Sequence, residues 1–296
     1  MINLERLRSL HAVGAYGSLH AAADALNVTA SAISQQIAKL EREVGEPLLE
    51  KRGRGVALTD AGQLLTAHAE RAFSVLREAE AELDARRAVV SGELRVGAFA
   101  TAIRGLAPAA LRRLSAEHPQ LQVRLQEMEP VEAIALLERG DIDMAIAQDW
   151  FNRPLGVPEG LMRAPVYDDV ADIALPADHP LANSSSVALS ELAGEAWISW
   201  REGSICHDWL MFTLRGVGRE PRVMHSALEY ATQLSLVSAG LGAAVLPRLG
   251  RGAVPEGVCV VPVTPALTRH VYALWRSDAA RRSAILAAVA AFSAKA

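Results

Sequence analysis

The chain has little cysteine, no long apolar run and no excess of positive charge, and each scarcity removes a class of protein. Only Cys206 and Cys259 occur in 296 residues, too few for the disulfide framework of a small secreted domain, and a paired redox switch is not expected of them. No apolar stretch reaches the roughly 18 residues that a membrane helix needs. The N-terminus lacks the basic, apolar and small-residue order of a signal peptide, so the expected location is the cytoplasm, with no membrane partner. A formal net charge of −4 excludes a generally polycationic binder. Also missing are a nucleophile elbow, a zincin helix, a phosphate loop, paired metal-binding cysteines and a Ser-x-x-Lys motif. Gly240-Leu241-Gly242 begins like a dinucleotide fingerprint but follows a helical pattern and precedes a strand, the reverse of the order that motif requires. No catalytic residue, cofactor or metal is therefore assigned, and an enzyme is the weaker class.

What is present begins in the first sixty residues. Ile33, Ile37, Leu40 and Val44 recur at i, i+4, i+7 and i+11, one narrow apolar stripe of a helix. The opposite face carries Ser31, Gln35, Ala38 and Arg42, flanked by Ser34 and Lys39, and is small and hydrogen-bonding, as a surface entering a major groove should be. Thr29 can cap its start. A shorter helix precedes it, from the cap candidate Ser18 through Ala21, Ala22, Ala25 and Leu26, with Asn27 and Val28 as the turn. From Leu48 to Leu58, Lys51, Arg52 and Arg54 surround Gly53 and Gly55, which suits a two-stranded wing whose cations meet phosphates. Thr59 caps the next helix. Residues 1–58 hold seven Lys and Arg (Arg6, Arg8, Lys39, Arg42, Lys51, Arg52, Arg54) against six acids (Glu5, Asp24, Glu41, Glu43, Glu46, Glu50). With a balance so close to neutral, binding to DNA must rely on where the cations stand.

The run AAADALNVTASAISQQIAKLEREVGEPLLEKRGRGVALTDAG resembles the N-terminal domain of the LysR-type transcriptional regulators, and the similarity continues through the chain. The resemblance implies a winged helix-turn-helix in which Ser31, Ser34 and Gln35 face bases and Arg52 and Arg54 face phosphate. Lys39, Thr29 and His20 complete the candidate DNA-binding set, although His20 equally suits a solvated helix face. The pattern departs from the commonest one at His20, at Ala30 and Ser31, at Gln35 and at Leu49. The resemblance further implies double-stranded promoter DNA, a small-molecule effector, RNA polymerase and further copies of the same chain as partners, in a homodimer or a homotetramer built as a dimer of dimers.

Asp60 to Val90 lacks proline and reads as one long helix. Leu65, Ala72, Ala79 and Arg86 fall at one heptad position and Ala69, Leu76, Leu83 and Val90 at the next. Pattern alone leaves open whether this helix pairs with a second copy or packs on its own domain; the resemblance favours pairing. Beyond Gly92, short apolar strands alternate with helices, an α/β texture, and a Ser226/Glu229 capping box is expected before a helix over 228–239. The expected fold is multidomain: an all-α winged helix-turn-helix over residues 1–58, a linker and dimerisation helix over 59–91, and an effector domain over 92–296. By the resemblance that last domain has two lobes, like a type 2 periplasmic binding protein, with lobe one over 92–166 plus 268–296 and lobe two over 167–267.

Open α/β sheets bind ligands beyond the carboxyl ends of their strands. The loops there carry Phe99, Ala100 and Thr101; Met128 and Glu129; Gln148, Asp149 and Trp150; Ser199, Trp200, Arg201 and Ser204; and His225 with Ser226. Thr101 and Ser204 near helix starts would favour an anionic group such as a carboxylate, and Arg201 could add a charge. The candidate effector contacts are Phe99, Ala100, Thr101, Gln148, Trp150, Ser199, Trp200, Arg201, Ser204 and His225. Thr101 and Ser204 equally suit plain helix caps, and Trp150 and Trp200 core packing. His207 and His225 read first as satisfied histidines.

Overall fold

A computed structural model describes residues 2–53, 55–86, 89–218 and 220–294. The chain forms two compact units, Met1–Leu83 and Asp84–Ala296. The first opens with α1 (Leu4–Tyr16), α2 (Leu19–Leu26) and α3 (Ala30–Val44), continues through the hairpin β1 (Leu49–Arg52) and β2 (Gly55–Leu58), and enters α4 (Asp60–Ala85). The three small helices begin where side chains can satisfy free amides. Asn3 accepts from the amides of Glu5 and Arg6, Ser18 from Ala21 and Thr29 from Ala32. Thr59 accepts from the Gly62 amide at 3.0 Å and donates to the Pro47 carbonyl at 2.8 Å, tying the start of α4 to the segment before the hairpin.

Ile33 and Ile37 bury their stripe with Ala12, Val13, Ala22 and Ala23, and Leu40 packs with Leu10 and Leu48. The alanines allow α2 to lie close against its neighbours, and Gly62 does the same for α4. A Cβ added at Gly62 would stand 2.2 Å from the Leu48 carbonyl oxygen. The long helix ends at Ala85, short of the expected Val90: Arg86 lies in a turn and Val90 leads into the next strand.

The second unit continues with β3 (Ser91–Ala98), α5 (Ala100–Gly105), α6 (Ala107–Glu117), β4 (Gln120–Glu127), α7 (Pro130–Arg139), β5 (Met144–Trp150) and β6 (Leu161–Pro176). Then follow β7 (Ala196–Ser199), α8 (Ile205–Gly216), β8 (Arg222–Ser226), α9 (Tyr230–Ser238), β9 (Ala244–Pro247), β10 (Val258–Val261), β11 (Leu267–Arg276) and α10 (Ser283–Ser293). α6 is preceded by the separate short helix α5. The Ser226/Glu229 capping box does not form: Glu229 itself is the N-cap residue of α9 and makes no side-chain cap bond, because Ser226 is still the last residue of β8.

The sheet runs in the order β10-β6-β11-β5-β3-β4, with β9 also on β6. β3 is parallel to β4 and β5, whereas β11 is antiparallel to β5 and β6. β6 is long enough to serve two bodies. From Leu161 to Ala171 it pairs with β11, and from Ala171 to Pro176 it pairs with β9 and β10. One core gathers Leu94, Val96, Ile146, Ala288 and Phe292; another gathers Ile173, Leu175, Trp197, Trp209 and Val245. β6 and β11 therefore run from one core to the other.

Glu70 on α4 accepts from Arg77 at 2.6 Å and pairs with His11 of α1 at 2.8 Å. The His11 hydrogen bond, then the Arg77 guanidinium, hold its carboxyl at about 2 against the opposing effect of burial. A folded-state value below the unfolded one stabilises the fold above the unfolded pKa, and that stability is lost as pH falls. Between about pH 4.5 and 2 the N-terminal unit should lose this contribution. Acid titration followed by circular dichroism should show Glu70→Gln with lower stability at neutral pH and a shallower acid dependence than the parent.

Candidate nucleic-acid interface and ligand cleft

Burial of the Ile33–Ile37–Leu40 stripe leaves Ser31, Ser34, Gln35 and Lys39 on the exposed side of α3. Among the described residues no side-chain hydrogen bond uses these four, so their donors and acceptors remain available. Thr29 spends its hydroxyl on the cap of α3, 3.2 Å from the Ala32 amide. His20 is exposed on the first turn of α2. In the hairpin, Arg52 pairs across with Gly55 and Lys51 with Val56, placing both cations beside the turn, and both are exposed. Gly53 takes φ +60° there, a left-handed conformation that glycine adopts without a Cβ penalty. Arg54 lies outside the described residues.

Two acids of α3 are occupied elsewhere. Glu41 accepts from the amides of Leu48 at 2.8 Å and Leu49 at 3.3 Å, which fixes the entry to the hairpin. Glu43 is ion-paired with Arg6. Two carboxylates close to the recognition surface thus have structural partners, while Lys39, Lys51 and Arg52 have none among the described residues. A unit of nearly balanced charge in this way presents an uncompensated cationic edge.

In the second unit a cavity of about 590 Å³ is walled by Ala100, Thr101 and Arg104 of α5, by Glu127, Met128, Glu129 and Glu132 around the start of α7, and by Arg201. Its other side is Leu228 to Ala231 with Leu234 around α9, and Leu246 to Ala253 after β9. Of the ten candidate contacts, Ala100, Thr101 and Arg201 stand in this wall. The cavity also takes in Arg104, Glu127, Glu132, Glu229, Tyr230 and Arg251, which loop positions alone did not single out.

Several remaining candidates converge on Arg269 instead. This residue of β11 is 1% exposed and donates to Asp169 of β6 at 2.6 Å and to the Thr101 hydroxyl at 2.9 Å, and also to Gln148. The rings of Phe99 and Trp150 lie 5.3 Å and 5.9 Å from its guanidinium carbon, within cation–π range. Asp169 accepts further from the amides of Val170 and Leu249, each at 2.9 Å. Gln148 donates to the Cys206 sulfur at 3.4 Å, and burial pushes that thiol up to about 12. The other candidates make local contacts. Ser199 meets His207 at 3.3 Å, Ser204 caps α8 through the His207 amide at 3.2 Å, and Trp200 packs edge-on against Tyr230 at 5.4 Å. Trp150 stacks on Trp209 at 3.7 Å, and His225 is half-buried on β8. The sequence signal for Arg269 is a cation in a strand whose partner strand carries the acid pair Asp168-Asp169.

Residues 4–63 match the model for bacterial regulatory helix-turn-helix proteins of the lysR family, and residues 87–296 match the LysR substrate binding domain. The chain belongs to the LysR family. Among its relatives is the hydrogen peroxide-inducible genes activator of Pectobacterium carotovorum subsp. carotovorum, 32% identical over 266 residues, covering 88% of this chain and 85% of that one. Another is the HTH-type transcriptional regulator YnfL of Escherichia coli K12, 32% identical over 250 residues, covering 83% and 82%. A full-length OxyR variant from Pseudomonas aeruginosa shares the fold with a TM-score of 0.73 at 24% identity, over 100% of this chain and 99% of that one. Full-length BenM gives 0.60 at 25% identity, over 98% and 95%. This LysR-type protein is a DNA-binding transcriptional regulator with an effector-binding domain, and its relatives are regulators rather than enzymes. Among the described residues no helix is long and apolar enough to cross a membrane.

The Arg269–Asp169 pair gives a test of how the two lobes are joined. Removing one partner of a buried pair strands the other charge and costs roughly 3–5 kcal/mol. Urea titration should show the unfolding free energy of the C-terminal unit lowered by that order in Arg269→Met. Adding Asp169→Leu should recover part of the loss, which would distinguish a stranded carboxylate from simple loss of packing.

Proposed function

We propose that this regulator reads a pseudo-palindromic promoter site through α3 and the β1–β2 wing of two paired copies, and that a small molecule held in the 590 Å³ cleft shifts the pairing geometry. The observation that carries the DNA-reading part is the state of α3. One face is committed to the core, while Ser31, Ser34 and Gln35 on the other are exposed and have no side-chain hydrogen bond among the described residues. Gln offers the bidentate donor–acceptor pair that suits adenine, and the serines suit several base edges. Lys51 and Arg52 supply phosphate contacts that position without specifying.

Pairing is supported by α4. Val75, Leu76 and Leu83 are exposed apolar side chains on it, and Leu76 and Leu83 share one heptad position, with Ala72 and Ala79 sharing the other. Two such faces would cover one another in a coiled coil and set two copies of α3 about one DNA turn apart, roughly 34–36 Å. Dimers of dimers and a cytoplasmic location belong to the same reading. Activation through the Cys206 thiol is not part of it. The nucleophilic form of cysteine is the thiolate, and a Cys206 thiol pushed up to about 12 by burial stays protonated at neutral pH.

Fragments of source DNA selected by the purified protein supply the operator, and fluorescence anisotropy then separates the roles. Arg52→Ala should weaken binding to all sequences alike and reduce the salt slope by about one phosphate contact. Gln35→Ala should change preference among operator variants by about 1–3 kcal/mol at single base pairs. Equal behaviour of both variants and the parent would remove α3 and the wing from the DNA interface.

A further inference from the structure

The walls of the cleft carry both signs of charge, and their balance selects a ligand once the internal partners are counted. Four carboxylates stand in the wall: Glu127 at the end of β4, Glu129 and Glu132 at the start of α7, and Glu229 before α9. None of the four is in an ion pair among the described residues. Three guanidiniums face them, but two have internal partners. Arg251 donates to Asp172 and to the Leu246 carbonyl, both at 2.7 Å. Arg104 donates to the Gly250 carbonyl at 3.1 Å and lies 5.8 Å from the centre of the Tyr230 ring. Arg104 keeps its charge beside these neutral partners, so Arg104 and Arg201 together oppose four carboxylates.

The helix ends reinforce that imbalance. The amino-terminal ends of α7 and α9 carry the partial positive charge that would ordinarily draw an anion into such a cleft. Acids of the chain stand at both ends, Glu129 at the N-cap and Glu132 in the first turn of α7 and Glu229 at the N-cap of α9, although neither N-cap side chain bonds a free amide. The hydroxyl of Thr101, at the start of α5, is taken by Arg269. Glu129 has its pKa raised, by burial first and then by the like charges of Glu127 and Glu132, with Arg201 opposing. An added positive charge beside it would relieve that repulsion. Among the described residues no group of three or more His, Cys, Asp or Glu side chains could hold a metal ion, which points away from a bare divalent cation. The remaining wall around Leu228, Tyr230 and Leu234 is apolar, and a volume near 590 Å³ is of the size that small metabolites occupy.

We infer that the ligand of this cleft is an organic cation, a small molecule with a protonated amine held among Glu127, Glu129 and Glu132 and an aliphatic body against Leu228, Tyr230 and Leu234. This assignment rests on the reading of the cleft as the effector site. The carboxylates replace the water shell of the ammonium with charge-assisted hydrogen bonds, and the apolar wall limits the length of chain that fits. Arg201, across the cleft, can pair with a carboxylate on the same molecule, so an amino acid with a basic side chain uses every group.

The test uses the full-length protein, thermal melting and isothermal titration with two panels of probes. Putrescine, spermidine, lysine and arginine form the cationic panel; benzoate and succinate form the anionic one. At least one amine should raise the melting temperature, and its affinity should fall about tenfold or more in Glu129→Gln, the loss of one hydrogen bond to a charged group. Glu129→Gln relieves the repulsion among Glu127, Glu129 and Glu132, so the ligand-free melting temperature of that variant should be no lower than the parent's, which excludes misfolding. Putrescine or spermidine, which carry no carboxylate, should bind Arg201→Gln as well as or better than the parent. Amine binding that is indifferent to both Glu129→Gln and Glu132→Gln overturns the assignment. Binding of benzoate or succinate without the amines overturns the cationic class and leaves the cleft as the ligand site. Silence from both panels overturns the two together.

Discussion

The pairing of Arg269 with Asp169 is the constraint on which the C-terminal unit is arranged. Two fully buried charges are costly unless each finds its counter-charge and the rest of its hydrogen bonds. Here each does: the guanidinium meets Asp169, Gln148 and Thr101, and the carboxylate meets Arg269 and two backbone amides. These partners come from β5, β6, β11, α5 and the segment after β9. A one-residue slip between β6 and β11 would turn Asp169 away from Arg269, because successive side chains point to opposite faces of a strand. The ion pair thereby specifies the register of the two strands that connect the cores. Its neighbour in sequence makes the same point from the other face: His270 meets Asp168 at 2.7 Å on the exposed side.

The stability of that centre bears on the cleft beside it. Thr101 belongs to both, lining the cavity while accepting from Arg269. Any ligand that moved α5 would therefore act directly on a hydrogen bond to the strands joining the lobes. Coupling of this kind needs only a difference in free energy between two arrangements, typically 1–3 kcal/mol, comparable to a hydrogen bond to a charged group. A rigid polar centre next to a deformable cavity is a physical arrangement through which binding can change the relation between lobes.

The sequence carried most of the architecture and less of the site, for identifiable reasons. The stripe of Ile33, Ile37 and Leu40 and the caps Ser18, Thr29 and Thr59 are local, so period and cap chemistry alone placed α2, α3 and the start of α4. Strand limits such as Ala196–Ser199 were legible because their apolar residues end at turns. Errors arose where a residue's role was decided from afar. Loop position suggested that Phe99, Gln148 and Trp150 face a ligand; they face Arg269, more than a hundred residues later in the chain. Glu229 reads as half of a capping box and Glu132 carries no sequence signal, and only the fold brings them to the same cavity as Glu127 and Glu129. Ser226 has the spacing of a capping box, but pairing of β8 with β7 holds it in a strand.

Charge placement links the two units more closely than net charge would suggest. In the first, carboxylates are drawn inward to backbone amides and to Arg6 and His11, which leaves cations along the hairpin edge. In the second, guanidiniums are drawn inward to Asp169 and Asp172, which leaves carboxylates in the cleft. The same device, committing one sign of charge to internal hydrogen bonds, produces opposite surfaces in one chain of net charge −4. A polyanion is therefore attracted to the first unit and a small cation to the cleft of the second. Because those ligands carry opposite charge, each surface discriminates against the other's ligand by repulsion as well as by fit, which is how specificity is obtained when affinity alone is limited.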